Sequence, residues 1–205
     1  MQYKIVTFNF GNIKGYGTAE DNIVDLKNIL SDEPDIVCCQ ELINTKDLEI
    51  EGYNIYSGLE LAIIYKKKRF YKAEPLNVKY YFGSHNDQDR MIYLNLYEEE
   101  KPLFCINVHG LVDQYENKRL LKFCDFILDK YDNVLMAGDF NGRMNSKYII
   151  SDIQYKTTKA GNVIDYILFK PNKDIFISDI YAYNEISKKK RHDHLIVCSD
   201  FKVEK

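Results

Sequence analysis

The sequence predicts an α+β fold, a four-layer α/β/β/α sandwich in which two mixed β-sheets pack face to face with helices outside. Three observations carry that expectation. Many short β-forming runs are separated by turn-forming or charged segments, only two long segments show helical periodicity, and each of these helices lies between two strands of its own half of the chain.

Tyr3 to Phe8 reads as a strand, with Ile5, Val6 and Phe8 as β-formers, before a Gly/Asn-rich turn from Asn9 to Gly17. A helix follows. Thr18 supplies its N-cap, Glu20 and Asp21 its acidic first turn, and Ala19, Ile23, Leu26 and Leu30 fall close to helical spacing until Pro34 forbids continuation. Ile36 to Cys39 is a buried strand ending in Gln40-Glu41. The second half repeats the layout: a strand from Leu103 to Val108 ends in His109-Gly110, a helix spans Asn117 to Lys130, and a strand from Val134 to Ala137 ends in Gly138-Asp139-Phe140-Asn141. Between the halves, Tyr53 to Tyr56, Leu61 to Tyr65, Leu76 to Phe82 and Met91 to Tyr97 suit antiparallel hairpins. Val163 to Phe169, Ile175 to Tyr183 and Leu195 to Val203 complete the strands.

With 205 residues, 45% of them hydrophobic, the chain can bury a full core, and a single domain over residues 1–205 is expected. The net charge of -3 and a pI near 5.9 exclude a basic domain drawn to polyanions by its overall field, so any polyanion is captured locally. The basic runs Lys66 to Arg69 and Lys188 to Arg191 read, taken alone, as solvated turns. Five cysteines without a C-x-x-C pair argue against a disulfide framework. The start runs directly into a strand, and nowhere do enough apolar residues run together to span a bilayer. The expectation is a soluble, cytoplasmic protein, taken as monomeric and without stable membrane association.

A charge at the end of a buried strand, or inside it, costs several kcal/mol unless a metal, hydrogen bonds or a counter-charge compensates. Such residues are Asn9, Glu41, His109, Asp139 with Asn141, Asp165, and Asp193 with His194. Glu41 suits an oxygen ligand of Mg²⁺, which takes one or two carboxylates and keeps its waters; the alternative is a solvated strand-end Glu. Asp139 and Asn141 stand two apart, so an extended segment points both side chains the same way, and Gly138 permits close approach of a ligand. Asp139 then takes a proton or a metal, and the Asn141 amide donates to a phosphate oxygen. An Asx-type turn is the equal rival. Asp165 interrupts an otherwise apolar strand and wants an imidazole nearby, unless that face is solvated. His192-Asp193-His194 puts a carboxylate and an imidazole at a strand entrance, just after cations, among them Lys190 and Arg191, that suit neighbouring phosphates. His109 suits donation to a phosphate or leaving-group oxygen.

In this order, Thr7-Phe8-Asn9, Pro34-Asp35-Ile36-Val37 leading to Gln40-Glu41, Asn107-Val108-His109-Gly110, Gly138-Asp139-Phe140-Asn141, Ile164-Asp165-Tyr166-Ile167 and Asp193-His194 resemble the motifs of the endonuclease/exonuclease/phosphatase superfamily, the deoxyribonuclease-I-like fold. The resemblance spans nearly the whole chain. It implies Glu41 as principal Mg²⁺ ligand, with Mn²⁺ a substitute, assisted by Asp193 and positioned by Asn9. It implies Asp139 to orient or deprotonate the water, Asn141 to bind the scissile phosphate, and His194 paired with Asp165 as base or phosphorane stabiliser. His109 stabilises developing charge, and Arg90 is the candidate for the family's cationic or phenolic residue between the two halves. The implied function is a nuclease acting on DNA or RNA, with Tyr80-Tyr81-Phe82 and the Lys188 to Arg191 run as a stacking and backbone-holding surface. A phosphoinositide, sphingolipid or other small phosphate ester is the alternative substrate, and a catalytically inactive binding module the third reading.

Overall fold

The computed structural model describes residues 1–11, 18–42, 45, 48–76, 81–82, 85–86, 90–152, 154–185 and 192–204. In chain order the elements are β1 (Gln2–Asn9), α1 (Ala19–Leu30), β2 (Ile36–Gln40), β3 (Tyr53–Ser57), β4 (Leu61–Lys66), β5 (Lys72–Pro75), β6 (Tyr81–Phe82) and β7 (His85–Asn86). They continue as β8 (Met91–Tyr97), β9 (Leu103–His109), α2 (Gln114–Lys130), β10 (Val134–Asp139), β11 (Asp165–Lys170), β12 (Phe176–Glu185) and β13 (Ile196–Glu204).

The strands form two large sheets, ordered β12-β13-β1-β2-β4-β3 and β11-β10-β9-β8-β5, with β6 and β7 paired on their own. Each large sheet contains one parallel pair, β1 with β2 and β9 with β10, and the connection within each pair is a helix. The sandwich with mixed sheets is therefore as the sequence predicts. Alternation along the strands accounts for the layers. Ile36 and Cys38 face the other sheet, where they meet Leu94, Cys105, Leu135 and Ile167. Val37 and Cys39 face outward onto Leu26, Ile29 and Leu30 of α1. On the second sheet Ile106, Val108 and Met136 pack under Leu120, Cys124, Ile127 and Leu128 of α2. A central strand buried on both faces reads as the continuous apolar run seen in Ile36 to Cys39.

Thr18 caps α1 in a full capping box with Asp21. α2 starts three residues before the expected Asn117, because Asp113 accepts from Tyr115 N and Glu116 N and so forms the cap. Of the strand expected over Leu76 to Phe82, residues 77–80 lie outside the described residues, Leu76 is in no strand, and Tyr81–Phe82 form β6. β5 ends at Pro75 as a sheet edge carrying Lys72 and Glu74, residues that suit an exposed edge. Tyr80 lies outside the described residues. The strand expected from Val163 begins at Asp165 instead, since Ile164 N is taken by Thr157 Oγ1. Asp165 is thus a strand-end charge, like the others. Among the described residues no helix is long and apolar enough to cross a membrane.

Two parallel pairs, each returning through a helix, send the C-terminal ends of β1, β2, β9 and β10 to one pole of the sandwich. The antiparallel strands β11 and β13 begin there. Just beneath, Gln40 Nε2 donates to Asn107 Oδ1 at 2.7 Å, and Asn107 Nδ2 donates to the carbonyls of Cys39 and Ala62 at 2.7 and 2.9 Å. These fully buried amides bolt the sheets together. Gly138, with φ +152°, lets β10 approach β9 so closely that an added Cβ would lie 1.9 Å from Val108 O. The close approach that the structure describes at Gly138 is to the neighbouring strand β9. Gly138→Ala should therefore destabilise the fold by on the order of 3 kcal/mol, read as a lower urea midpoint at unchanged slope.

Candidate active site

Asn9, the last residue of β1, turns its side chain across the pole. Its Oδ1 accepts from Gly11 N at 2.9 Å, leaving Nδ2 to donate to Asp139 Oδ2 at 3.1 Å and to Glu41 Oε1 at 3.4 Å. One amide thus joins a carboxylate from each sheet. Glu41 follows β2 with φ +54°, a left-handed conformation that costs a non-glycine residue roughly 1–3 kcal/mol. Its side chain is buried, so the solvated strand-end alternative fails. Its Oε1 lies 3.7 Å from His109 Nε2.

On the second sheet, Asp139 and Asp165 are direct partners in the antiparallel register of β10 and β11, each about 1% exposed. Of the two arrangements open to Asp139 and Asn141, an extended segment and an Asx turn, the structure takes the turn. Asn141 has φ +45°, and its backbone N–H donates to Asp139 Oδ1 at 2.8 Å, which is the Asx turn. Its Nδ2 donates to Gly110 O at 3.0 Å and lies 3.4 Å from Asp139 Oδ2. Asn141 therefore secures Asp139 and the Gly110 loop, and its amide is engaged by protein. Asn117, on α2, clamps the same turn through the Phe140 and Asn141 carbonyls.

His194 comes from the entrance of β13. Both Asp165 oxygens lie 3.0 Å from its Nδ1, while Nε2 faces Asp139 Oδ2 at 3.6 Å and Asp193 Oδ1 at 3.9 Å. Burial alone would depress this imidazole, but the Asp165 carboxylate, with Asp139 and Asp193, outweighs it and pushes its pKa up to about 9. Burial, opposed by His194 and reinforced by Asp139, raises the Asp165 carboxyl. Thr157 Oγ1, itself fully buried, accepts from Asp165 N at 3.2 Å. A second imidazole–carboxylate pair faces the first. His109 Nδ1 lies 2.8 Å from Glu60 Oε1, and Arg90 Nη1 is 3.4 Å from both that oxygen and His109 Nδ1.

The structure thus brings together Asn9, Glu41, Arg90, His109, Asp139, Asn141, Asp165, Asp193 and His194. Lys190 and Arg191 lie outside the described residues. Glu60 and Thr157 escape the sequence reading. Glu60 had a usable signal, a charge immediately before the apolar strand Leu61 to Tyr65; Thr157 had none. The donor set fits a hard divalent cation: Glu41, Glu60, Asp139, Asp165 and Asp193 crowd one pole against Arg90 and two imidazoles. Asp139, Asp165 and His194 present ligand atoms within 4.8 Å of one another. Asp165 turns both oxygens to His194 Nδ1, however, so the oxygens that suit a cation are those of Glu41 and Asp139 around Asn9.

Comparison with solved structures now bears on this geometry. Superposition on TDP2 of D. rerio, in complex with a single-strand DNA product, gives a TM-score of 0.75 at 16% identity over 98% of this chain and 99% of that one. The endonuclease domain of TRAS1, a telomere-specific non-LTR retrotransposon, gives 0.67 at 12% identity over all of both chains. An endonuclease/exonuclease/phosphatase family protein from Bacteroides thetaiotaomicron gives 0.64 at 13% identity over 98% of each. The chain has the deoxyribonuclease-I-like fold. No protein-family model matches the sequence, and no curated protein matches it either. At such identity the likeness is one of deoxyribonuclease-I-like architecture, and the site's chemistry rests on the side chains above.

Two outcomes follow from these side chains. His194 holds its proton more tightly when folded, so its contribution to stability is full below about pH 6.5 and is lost as pH rises through about 9. The raised Asp165 carboxyl acts in the same direction at lower pH. Urea unfolding in the presence of chelator should show stability falling between pH 6.5 and 9.5, and His194→Gln should flatten that slope. Glu41→Gly should raise the unfolding free energy by about 1 kcal/mol through relieved strain, read as a higher urea midpoint, while isothermal titration shows weakened Mn²⁺ binding.

Proposed function

We propose that the chain is a Mg²⁺-dependent phosphodiesterase, with Mn²⁺ able to substitute, that hydrolyses phosphodiester bonds of DNA or RNA as a single-domain, monomeric, cytoplasmic nuclease. The observation that carries this reading is the convergence from two sheets on one acidic pole of Glu41, Asn9 and Asp139, joined by hydrogen bonds, with His194 Nε2 3.6 Å from Asp139 Oδ2. Glu41, oriented by Asn9 and facing Asp139 across it, would hold the cation, with Asp193 assisting from beside His194. When bound, the cation supplies Lewis acidity at the phosphate and eases ionisation of water.

The chain's own residues do the rest. Asp139, held at Oδ1 by Asn141 N and at Oδ2 by Asn9 Nδ2, is positioned to orient the attacking water and take its proton. His194, with its proton favoured by Asp165, presents Nε2 as a charged donor to a non-bridging oxygen as negative charge builds. His109, fixed at Nδ1 by Glu60, presents Nε2 from the opposite side. Asn141 acts through Asp139 in place of the phosphate contact expected of it. Nucleic acid as substrate draws support from the single-strand DNA product in the TDP2 complex and from the TRAS1 endonuclease domain. Lys190 and Arg191 would hold flanking phosphates.

The test is a panel of single-stranded oligonucleotide, plasmid, RNA and inositol phosphates, each with Mg²⁺ and with chelator. Nucleic-acid cleavage that chelator abolishes is expected, and Asp139→Asn or His194→Ala should lower kcat on the order of a thousandfold with the fold retained by circular dichroism. Release of inorganic phosphate from inositol phosphates alone would move the substrate to the small esters. Full activity in both variants would refute the site, and no hydrolysis on any substrate would leave a binding module.

A further inference from the structure

His192 takes no part in the chemistry above, yet it is fully buried and each of its ring nitrogens faces an oxygen. Nδ1 lies 2.8 Å from Phe10 O and Nε2 lies 2.8 Å from Asp25 Oδ2, a buried carboxylate on α1. The ring stands edge-on to Phe8 and Phe10. Such a ring can only be turned by breaking one of two short hydrogen bonds inside an apolar box.

Its place in the sheet gives the arrangement a purpose. The ladder between β1 and β13 stops at Thr7↔Val197, short of both Asn9 and His194. Beyond it the chain before β13 leaves β1 and follows residues 157–159 instead. Lys159 N donates to Asp193 O, Leu195 N donates to Thr157 O, and Thr158 bridges His194. Asn9 and His194 therefore sit on two segments that the ladder no longer holds in register. The His192 side chain spans that gap. Phe10, which accepts from it, also donates its backbone N–H to Gln40 O at 2.9 Å, next to Glu41. The path Gln40–Phe10–His192 thus fixes the Glu41 and Asn9 side of the site against the His194 side, with Asp25 as the anchor in α1.

We propose that His192, clamped between Phe10 O and Asp25, is a positioning residue that sets the placement of His194 relative to Asn9 and Glu41. The kinetic part of this inference rests on the phosphodiesterase reading; the structural part does not. A displacement of about 1 Å at a reacting centre costs on the order of a hundredfold in rate. Asp25→Ala removes the anchor and His192→Gln reaches only one of the two acceptors. Both should lower kcat about a hundredfold with KM little changed, at a temperature where circular dichroism shows them folded. Asp25→Asn, which keeps an acceptor for Nε2, should retain most of the rate. Long-range ¹H–¹⁵N spectra of the imidazoles give the second readout. The His194 resonances should move in Asp25→Ala and His192→Gln and stay near wild type in Asp25→Asn. Variants that melt earlier but keep wild-type kcat and His194 resonances would reduce His192 to a packing residue and overturn the proposal. A wild type inactive on every phosphodiester would sink the proposed function alone, because the His194 resonances still decide the role of His192.

Discussion

Asp139 and Asp165 stand opposite each other in the register of β10 and β11, two carboxylates in cross-strand positions with almost no access to water. Like charges so placed repel, and desolvation adds several kcal/mol to the cost. His194 resolves the conflict from the other sheet by turning Nδ1 to Asp165 and Nε2 toward Asp139. Asn9, also from the other sheet, donates to Asp139 Oδ2. The contacts that neutralise the pair are therefore the contacts that join the sheets at this pole. Fold and site depend on one another here: deleting a single partner strands a buried charge, a loss of about 3–5 kcal/mol where such pairs are broken.

The outline of this arrangement is legible in the sequence because a buried strand tolerates few charges. Glu41, His109, Asp139 and His194 each break or bound an apolar run, and the two strand–helix–strand units declare the parallel pairs that send these residues to one pole. What the sequence conceals is set by long-range geometry. Asn141 two residues from Asp139 fits an extended segment or an Asx turn equally well, and only the Gly110 and Asn117 contacts decide for the turn. Glu60 sits at a turn between two hairpin strands, where a solvated carboxylate is the ordinary reading; its hydrogen bond to His109 crosses from one sheet to the other. Pro75 and the charges of β5 disguise an edge strand that no apolar run announces. Thr157 lies in a loop with no periodicity at all.

The two imidazole–carboxylate pairs are built alike and differ in their surroundings. His109 shares Glu60 with the Arg90 guanidinium, so the cation competes with the imidazole for that carboxylate. His194 has both Asp165 oxygens at 3.0 Å and two further carboxylates within 4 Å, which is why its proton is held so firmly. An acidic pole on a protein of net charge -3 repels a polyanion at long range. Under the proposed function, affinity for phosphate must then arise at contact, from these donors and from a cation held by the same carboxylates. A site so built would read the phosphate and little of what the phosphate joins, and hence one fold can serve many esters.

The backbone at the two strand–helix–strand units carries the same signature. Glu33 and Asn133 adopt left-handed conformations just before β2 and β10, and Glu41 and Asn141 do so just after them. Each central strand is thus entered and left through a left-handed turn, which sharpens the chain's change of direction where a helix returns or a loop must clear the site. Asparagine tolerates this conformation better than most residues, because its short amide can hydrogen-bond locally. Asn141 does so. Glutamate has no such compensation. At Glu33, which is exposed and 3.6 Å from Lys66 Nζ, the cost is borne on the surface. At Glu41 it is borne in a buried pocket by a residue whose carboxylate adds to the repulsion there. A position that glycine would occupy with less strain is held instead by a buried carboxylate between Asn9 and His109, a cost in stability that the proposed cation ligand accounts for.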